Sequence, residues 1–339
     1  MIESNAENID RIVTPTGVDP VYFENKLRPE TLENFIGQSS IKDNLSISIK
    51  AAKKRKEPID HVLLHGAPGL GKTTLAGIIA KETGVNIRIT SGPALEKQGD
   101  IASIISNLQE NDILFVDEIH RLRAVVEEVL YTAMEDFGID IVIGKGPSAR
   151  TMRINLPRFT LIGATTKMSM LSSPLRDRFG NVFRLQFYTD EEIKQIVLRS
   201  AKILDCEITD EAATLLSRSC RKTPRIANRL LKRCRDYAEV YSKSIIDEKV
   251  LRDSLNNLGI DSLGLDSVDR EMLSAIIEKF NGGPVGLNTL SAATGEAQET
   301  IEDIYEPFLI QIGFLERTSR GRIATQRAHD HLKVPFRLI

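Results

Sequence analysis

Apolar residues fall into short uninterrupted runs in the first half of this chain and into helical periods in the second. Val62 to Leu64 is one such run, Ile113 to Val116 another, and the stretch from Phe159 to Thr166 a third. Between them, Ile41 to Lys53, Leu75 to Ile79 and Asp100 to Leu108 space their apolar residues three and four apart, as amphipathic helices do. Asn86 to Thr90 alternates as a further strand. Strands apolar on both faces and separated by helices predict a parallel sheet covered on both sides. Ile139, Ile141 and Ile143, then Met152, Ile154 and Leu156, alternate around Gly144-Lys-Gly-Pro147 and predict a β-hairpin over 139–156. Its apolar positions suit either a core or a protruding element that grips a partner.

Near Phe187-Tyr-Thr-Asp190 the pattern changes from strands to helices. Thr189 or Asp190 caps a helix with Ile193, Ile196, Val197 and Ala201 on one face, and residues 190–258 read as an α-helical unit. Leu258 to Ser267, with two glycines and two aspartates, reads as a linker. Helices over 269–280, 287–293 and 300–308 and a basic two-strand tip over 313–325 follow in winged-helix order. The expected class is therefore α/β, with a parallel-sheet large domain at 21–188, a helical domain at 189–259 and a winged-helix domain at 262–339, behind a flexible tail at 1–20.

The chemistry concentrates at two strand ends. Gly66, Gly71, Lys72 and Thr73 fit Gly-x-x-x-x-Gly-Lys-[Ser/Thr], with a strand before and a helix after, which is the context this phosphate-binding loop requires. Glycines let backbone N–H groups curl around phosphate oxygens, Lys72 can reach the β- and γ-phosphates, and Thr73 offers a hydroxyl to Mg²⁺. The run ending in Asp117 and Glu118 supplies the other half of an NTP-hydrolysing site: Asp117 for the Mg²⁺ shell, Glu118 to orient or deprotonate water. Thr165, at the end of the next buried strand, could sense a γ-phosphate. Arg178 ends a short segment beginning at Ser173, and reads either as a partner of Asp177 or another nearby acid, or as a finger projected into a neighbour's nucleotide. Between Arg218 and Arg235 lie eight basic and no acidic residues. Most read as a solvated helix face, and Arg225, just after Pro224, as the one aimed at nucleotide.

Composition narrows the partners. At 339 residues the chain is long for one domain; it is 41% hydrophobic and 27% charged, with a net charge of −2 that argues against a uniformly basic nucleic-acid coat. The charge is nevertheless local: from Arg317 to Arg337 six basic residues face one acidic residue, Asp330, which predicts a phosphate-contacting surface on the wing. No run approaches the roughly 20 apolar residues of a membrane span, and the N-terminus has no signal-peptide pattern, so a cytoplasmic protein without membrane association is expected. Cys206, Cys220 and Cys234 support neither a disulfide framework nor a zinc site.

Longer strings carry a family likeness. Gly66 to Thr74, Ser91-Gly-Pro-Ala-Leu-Glu-Lys97, Val116-Asp-Glu-Ile-His-Arg121, Ala133-Met-Glu-Asp-Phe137, Gly144-Lys-Gly-Pro147, Ile162-Gly-Ala-Thr-Thr166, Ser173 to Phe179, Thr223-Pro-Arg-Ile-Ala-Asn228 and Gly282-Gly-Pro-Val-Gly286 resemble the RuvB family of bacterial Holliday-junction branch-migration motors, which are AAA+ ATPases. The likeness runs from about Leu27 to Thr325.

The resemblance implies an AAA+ large domain, a lid and a winged helix, assembled as a homohexamer around duplex DNA, serving DNA recombination and repair with RuvA and RuvC. It implies a hydrolysis core of Lys72, Thr73, Asp117 and Glu118, with Thr165 as first sensor, Arg225 as lid sensor and Arg178 as finger in trans. ATP contacts are implied at Leu27, Arg28, Gly69, Gly71, Thr74 and Tyr188, and also at Glu135, Asp136, Phe137 and Arg178. Residues 139–156 match the hairpin that docks RuvA, and Arg317 and Arg322 match wing residues near DNA. Ala67 stands where proline is usual, and Gln298 where an arginine is common. A nucleotide-switched DNA-binding module, with hydrolysis as a timer, is the alternative of another class.

Overall fold

The computed structural model of the chain describes residues 26–143, 150–241 and 243–335. The tail at 1–20 and the hairpin tip at 144–149 lie outside the described residues. The central sheet holds β1 (Val62–His65), β2 (Ile87–Ser91), β3 (Ile113–Asp117), β6 (Thr160–Thr165) and β7 (Asn181–Arg184), all parallel, in the order β2-β3-β6-β1-β7. The remaining strands of this region, β4 (Gly138–Ile143) and β5 (Arg150–Asn155), pair only with each other, antiparallel, as the predicted hairpin.

The uninterrupted apolar runs are explained by a core on each side of the sheet. Val62, Leu64, Ile113, Phe115, Ile162 and Ala164 face one core, while Leu63, Leu114, Val116 and Leu161 face the other. Successive residues point to opposite faces, so a strand covered on both sides has no position for a polar residue until it ends. Each such side chain contributes about 1.5 to 3 kcal/mol on burial. The polar residues His65, Asp117 and Thr165 therefore stand at the carboxyl ends of β1, β3 and β6, which are neighbouring strands. The base of the hairpin is core, with Ile139 and Leu156 buried in the second cluster, while Met152 is exposed.

The helical region consists of helices Asp190–Ile203, Asp210–Arg218, Pro224–Val240 and Glu248–Asn257. Thr189 caps the first through Glu192 N–H, and the Glu192 carboxylate returns to Thr189 N–H, a capping box that fixes where the helices begin. Its apolar face, including Ile193, Leu216, Leu230 and Leu251, joins the same core as Phe35 and Tyr188. A two-residue parallel ladder between Glu207–Ile208 and Ile245–Ile246 had no readable signal, because two residues make no period.

The segment read as a linker is anchored. Arg221 Nε donates to Gly264 O at 3.1 Å and Nη2 to Asp266 Oδ2 at 2.6 Å, and the same guanidinium pairs with buried Asp269. Asp261 Oδ1 accepts from Leu263 N and Leu265 N, and His331 Nε2 meets Asp261 Oδ2 at 2.8 Å. An added Cβ at Gly264 would lie 2.5 Å from Ser219 O, so only glycine permits this approach. Glycine and aspartate here build a tight turn rather than slack.

The C-terminal region has its own core, from Leu265 to Ala328, with helix Ser267–Ser274 continuing as a π-helical turn to Lys279, helix Leu287–Thr294, and helical turns from Gln298 to Gln311. Strands Leu315–Thr318 and Gly321–Ala324 form the antiparallel wing, and Val285 makes an isolated antiparallel bridge to Arg322. Gln298 begins a short exposed turn.

The wing corrects one expectation. Arg317 and Arg322 are cross-strand partners and so lie on one face of the hairpin, the face toward Glu302 and Glu306. Arg322 Nε donates to Glu306 Oε1 at 2.5 Å and Nη2 to Glu302 Oε1 at 3.1 Å, with the side chain 8% exposed. Arg322 is thus a buried ion-pair residue, not a phosphate contact. Arg317 also meets Glu302 at 3.1 Å but is 58% exposed, and Arg320 at the hairpin turn is exposed. Removing one member of a buried pair strands the other charge, at a cost of about 3 to 5 kcal/mol. Arg322→Ala should lower unfolding free energy by that amount in a urea titration, whereas Arg317→Ala should change it by less than about 1 kcal/mol. Equal losses would contradict this division of roles.

Candidate nucleotide-binding site

The loop that leaves β1 turns in conformations that a side chain resists. Gly66 has φ +145, and a Cβ there would lie 2.7 Å from Leu185 O; Gly71 has φ +102 with the Phe35 ring 3.3 Å from where its Cβ would stand. Gly71 then caps helix Lys72–Thr83 without a side-chain partner, which leaves the first backbone N–H groups free for an anion. Lys72 Nζ donates to Gly66 O at 2.7 Å and Ala67 O at 3.0 Å. Only the carbonyl of Ala67 is used, so alanine in place of proline leaves this contact intact. Burial pushes the Lys72 ammonium down to about 8; Asp117 and Glu118 draw it back up, and Arg225 adds to the depression.

Asp117 ends β3, and Glu118 follows in the left-handed region at φ 48, where the Asp117 carboxylate accepts from Glu118 N at 3.0 Å. Gly92 makes room for this turn, since a Cβ there would lie 2.4 Å from Glu118 O. Gly69, Gly71, Lys72, Thr73, Thr74, Asp117 and Glu118 line one cavity of about 380 Å³, with Leu27, Arg28 and Tyr188 at its side and Arg225 on the facing helix. Tyr188 Oη donates to Leu70 O at 3.0 Å, fixing the loop from below, and burial raises its phenol well above the usual range. Arg225 N donates to Gly69 O at 3.4 Å, so the helical region rests directly on the phosphate loop.

Thr165 is not in this cavity. It is fully buried, with Oγ1 2.9 Å from His120 Nδ1 and accepting from Lys167 N at 3.0 Å. The next residue, Thr166, lines the cavity and donates Oγ1 to Glu118 Oε2 at 3.3 Å. Alternation at the strand end turns Thr165 inward and Thr166 outward, so Thr166 and not Thr165 is the threonine that faces the cavity.

Three basic residues that the sequence does not single out also reach the cavity. Arg229 and Lys232 follow Arg225 at helical spacing on the same face, and all three line the cavity, as does Arg199, whose Nη1 donates to Leu27 O at 2.9 Å. Part of the basic face read as solvated is therefore turned to the nucleotide cleft.

Glu135, Asp136, Phe137 and Arg178 do not line it. Phe137 packs edge-on against Phe159, Asp136 accepts from Arg153, and Glu135 Oε2 accepts from Arg178 Nη2 at 2.8 Å. Arg178 also donates to Pro174 O and lies 4.8 Å over the Tyr131 ring. Its acid partner in the chain is thus Glu135, not Asp177.

The donor set suits a hard cation shared with phosphate. Thr73 and Asp117 offer oxygen, and among the described residues no group of three His, Cys, Asp or Glu could hold a metal alone. Burial pushes Cys220 up to about 12 and Cys234 up to about 11, in keeping with small buried hydrophobes. No helix among the described residues is long and apolar enough to cross a membrane.

Comparison with known proteins agrees with this geometry. The chain matches the family model of the Holliday junction DNA helicase RuvB P-loop domain over residues 27–185, the RuvB AAA lid domain over 188–261 and the RuvB C-terminal winged helix domain over 262–333. Holliday junction branch migration complex subunits RuvB from Chloroflexus aurantiacus and Chloroflexus aggregans are each 57% identical over 328 residues, 96% of this chain and 94% of theirs. The solved Thermotoga maritima RuvB Holliday junction branch migration motor superposes with a TM-score of 0.84 at 50% identity, covering 91% of this chain and 99% of that one. Three family models in succession and relatives matched over nearly the whole length make the chain a member of the RuvB family of P-loop Holliday junction DNA helicases.

Proposed function

We propose that the protein is an ATP-driven motor that moves duplex DNA to branch-migrate Holliday junctions, acting as a hexameric ring with RuvA and RuvC. The observation that carries this reading is the split of the catalytic set: Lys72, Thr73, Asp117, Glu118 and Thr166 share one cleft, while Arg178 lies outside it. In this reading the triphosphate rests on the N–H groups from Gly69 to Thr74 and on Lys72, and the adenine and ribose lie beside Leu27, Arg28 and Tyr188. Thr73 and Asp117 are the groups that would hold Mg²⁺, which would supply charge neutralisation to the phosphates. Glu118 orients the attacking water and takes its proton, and Thr166 ties the Glu118 carboxylate to the end of β6.

Duplex DNA is assigned to the winged-helix region, with Arg317 and Arg320 as phosphate contacts. The β4–β5 hairpin is the surface we assign to RuvA, because it pairs with no strand of the main sheet and exposes Met152. Arg178, with Glu135 and Asp136 beside it, would meet a neighbouring subunit's nucleotide. The Glu135 carboxylate and Tyr131 ring hold the guanidinium until a phosphate competes for it.

The hydrolysis site is tested by three variants. Lys72→Ala and Asp117→Asn should abolish phosphate release, and Glu118→Gln should abolish it while still binding a fluorescent ATP analogue. Hydrolysis near the wild-type rate in either of the first two would remove the site assignment.

Assembly is tested by mixing. Arg178→Ala should bind nucleotide but lose about 10³- to 10⁵-fold in hydrolysis, the worth of an arginine finger. Combined with inactive Lys72→Ala protein it should regain activity, since some interfaces then pair an intact loop with an intact finger. Mixed rings that form but stay inactive at every ratio would make Arg178 a structural partner of Glu135.

A further inference from the structure

His120 stands two residues after the catalytic glutamate, in the single 3-10 turn Ile119–Arg121 that follows β3. Its side chain is 4% exposed, and its Nδ1 lies 2.9 Å from Thr165 Oγ1 and 3.4 Å from Glu118 Oε2. The same Glu118 oxygen accepts from Thr166 Oγ1. On its other side, the Glu118 carbonyl is pressed against Gly92. The glutamate is thus flanked at its backbone by Gly92, just after β2, and held at its carboxylate by Thr166, just after β6.

Both neutral tautomers of the imidazole satisfy Thr165, and one of them also suits Glu118. Burial is the main effect holding it below its ordinary value, with Lys167 and Arg121 acting in the same sense, and so it favours the neutral ring; Glu118 and Asp303 oppose this. With its proton on Nδ1 the neutral ring donates to Thr165 Oγ1 and turns the positive end of that N–H toward Glu118 Oε2, 3.4 Å away, whereas a bare Nδ1 would accept from the Thr165 hydroxyl and face the carboxylate with a lone pair. Thr165 Oγ1 is itself fixed by Lys167 N–H. A buried group with a directed donor between two strand ends does more than fill space, because glutamate keeps rotatable side-chain bonds that packing on the solvent side of the cleft does not restrict.

We propose that His120 is a positioning residue for hydrolysis, holding the Glu118 carboxylate to the end of β6 so that the water-activating glutamate and Thr166 keep one fixed relation to the γ-phosphate. This rests on the reading of the cleft as an ATP-hydrolysing site. It assigns His120 no contact with nucleotide.

The test separates positioning from packing by keeping volume in one variant and the donor in another. His120→Leu should lower kcat by about 10- to 100-fold while the ATP KM and the affinity for a fluorescent ADP analogue stay within about twofold. His120→Asn, whose amide overlays Nδ1, should recover most of that loss, and His120→Gln, whose amide overlays Nε2, should not. Wild-type kcat in His120→Leu would overturn the proposal, as would equal losses in the Asn and Gln variants or a loss confined to KM. If melting and nucleotide binding show that His120→Leu does not fold, the Asn and Gln comparison decides alone. Absence of hydrolysis in the unaltered protein would instead remove the underlying reading of the cleft.

Discussion

A lysine ammonium held out of bulk water is the constraint on which the rest of this structure depends. Lys72 is 7% exposed, and its charge is tolerated only because the carbonyls of Gly66 and Ala67 accept from it and two carboxylates face it across the cleft. Those carbonyls point inward only if the loop adopts the φ values that glycine allows. The loop in turn holds that shape because Phe35 packs on Gly71, Tyr188 binds Leu70 O, and Arg225 N binds Gly69 O. Three separate stretches of chain therefore converge on one buried charge. A phosphate group competing for the Lys72 ammonium would be felt by all of them.

The same contacts link the cleft to the winged-helix region. Arg225 belongs to the helix that begins at Pro224, and four residues earlier Arg221 binds Gly264 O, Asp266 and Asp269. From the other side, Lys167, two residues beyond Thr165, pairs with Asp303 of the winged-helix region at 2.8 Å. The winged-helix region is thus tied to both walls of the nucleotide site. Both ties involve partly or largely buried charges, for which breaking a pair costs more than at an open surface.

Much of this was legible in the sequence, and what was not has physical reasons. Runs such as Ile113 to Val116 announce a strand covered on both faces, and the loop from Gly66 to Thr73 can be read because its backbone admits few residue types. Thr165 and Thr166 could not be told apart, since one step along a strand end exchanges interior for cleft and only the burial of Thr165 beside a cavity-lining Thr166 settles it. Arg322 was misread because a count of charges along the wing does not contain Glu302 and Glu306, which reach it from a helical segment earlier in the chain. Arg229 and Lys232 were readable in principle from their spacing to Arg225, but a basic helix face facing a cleft looks the same in sequence as one facing water. The aspartates of 258–267 suggested slack, and their partner Arg221 lies some forty residues upstream.

The central claim is that hydrolysis in this cleft is converted into movement of DNA, and the most direct measurement follows the branch point of a synthetic four-way junction together with phosphate release. With ATP and a RuvA protein, the account predicts that labelled junctions resolve into duplex products at a rate that rises and falls with hydrolysis, and that ADP or a non-hydrolysable analogue supports binding without movement. Steady ATP hydrolysis on bound junctions with a stationary branch point would contradict it and leave the protein a nucleotide-switched DNA-binding module.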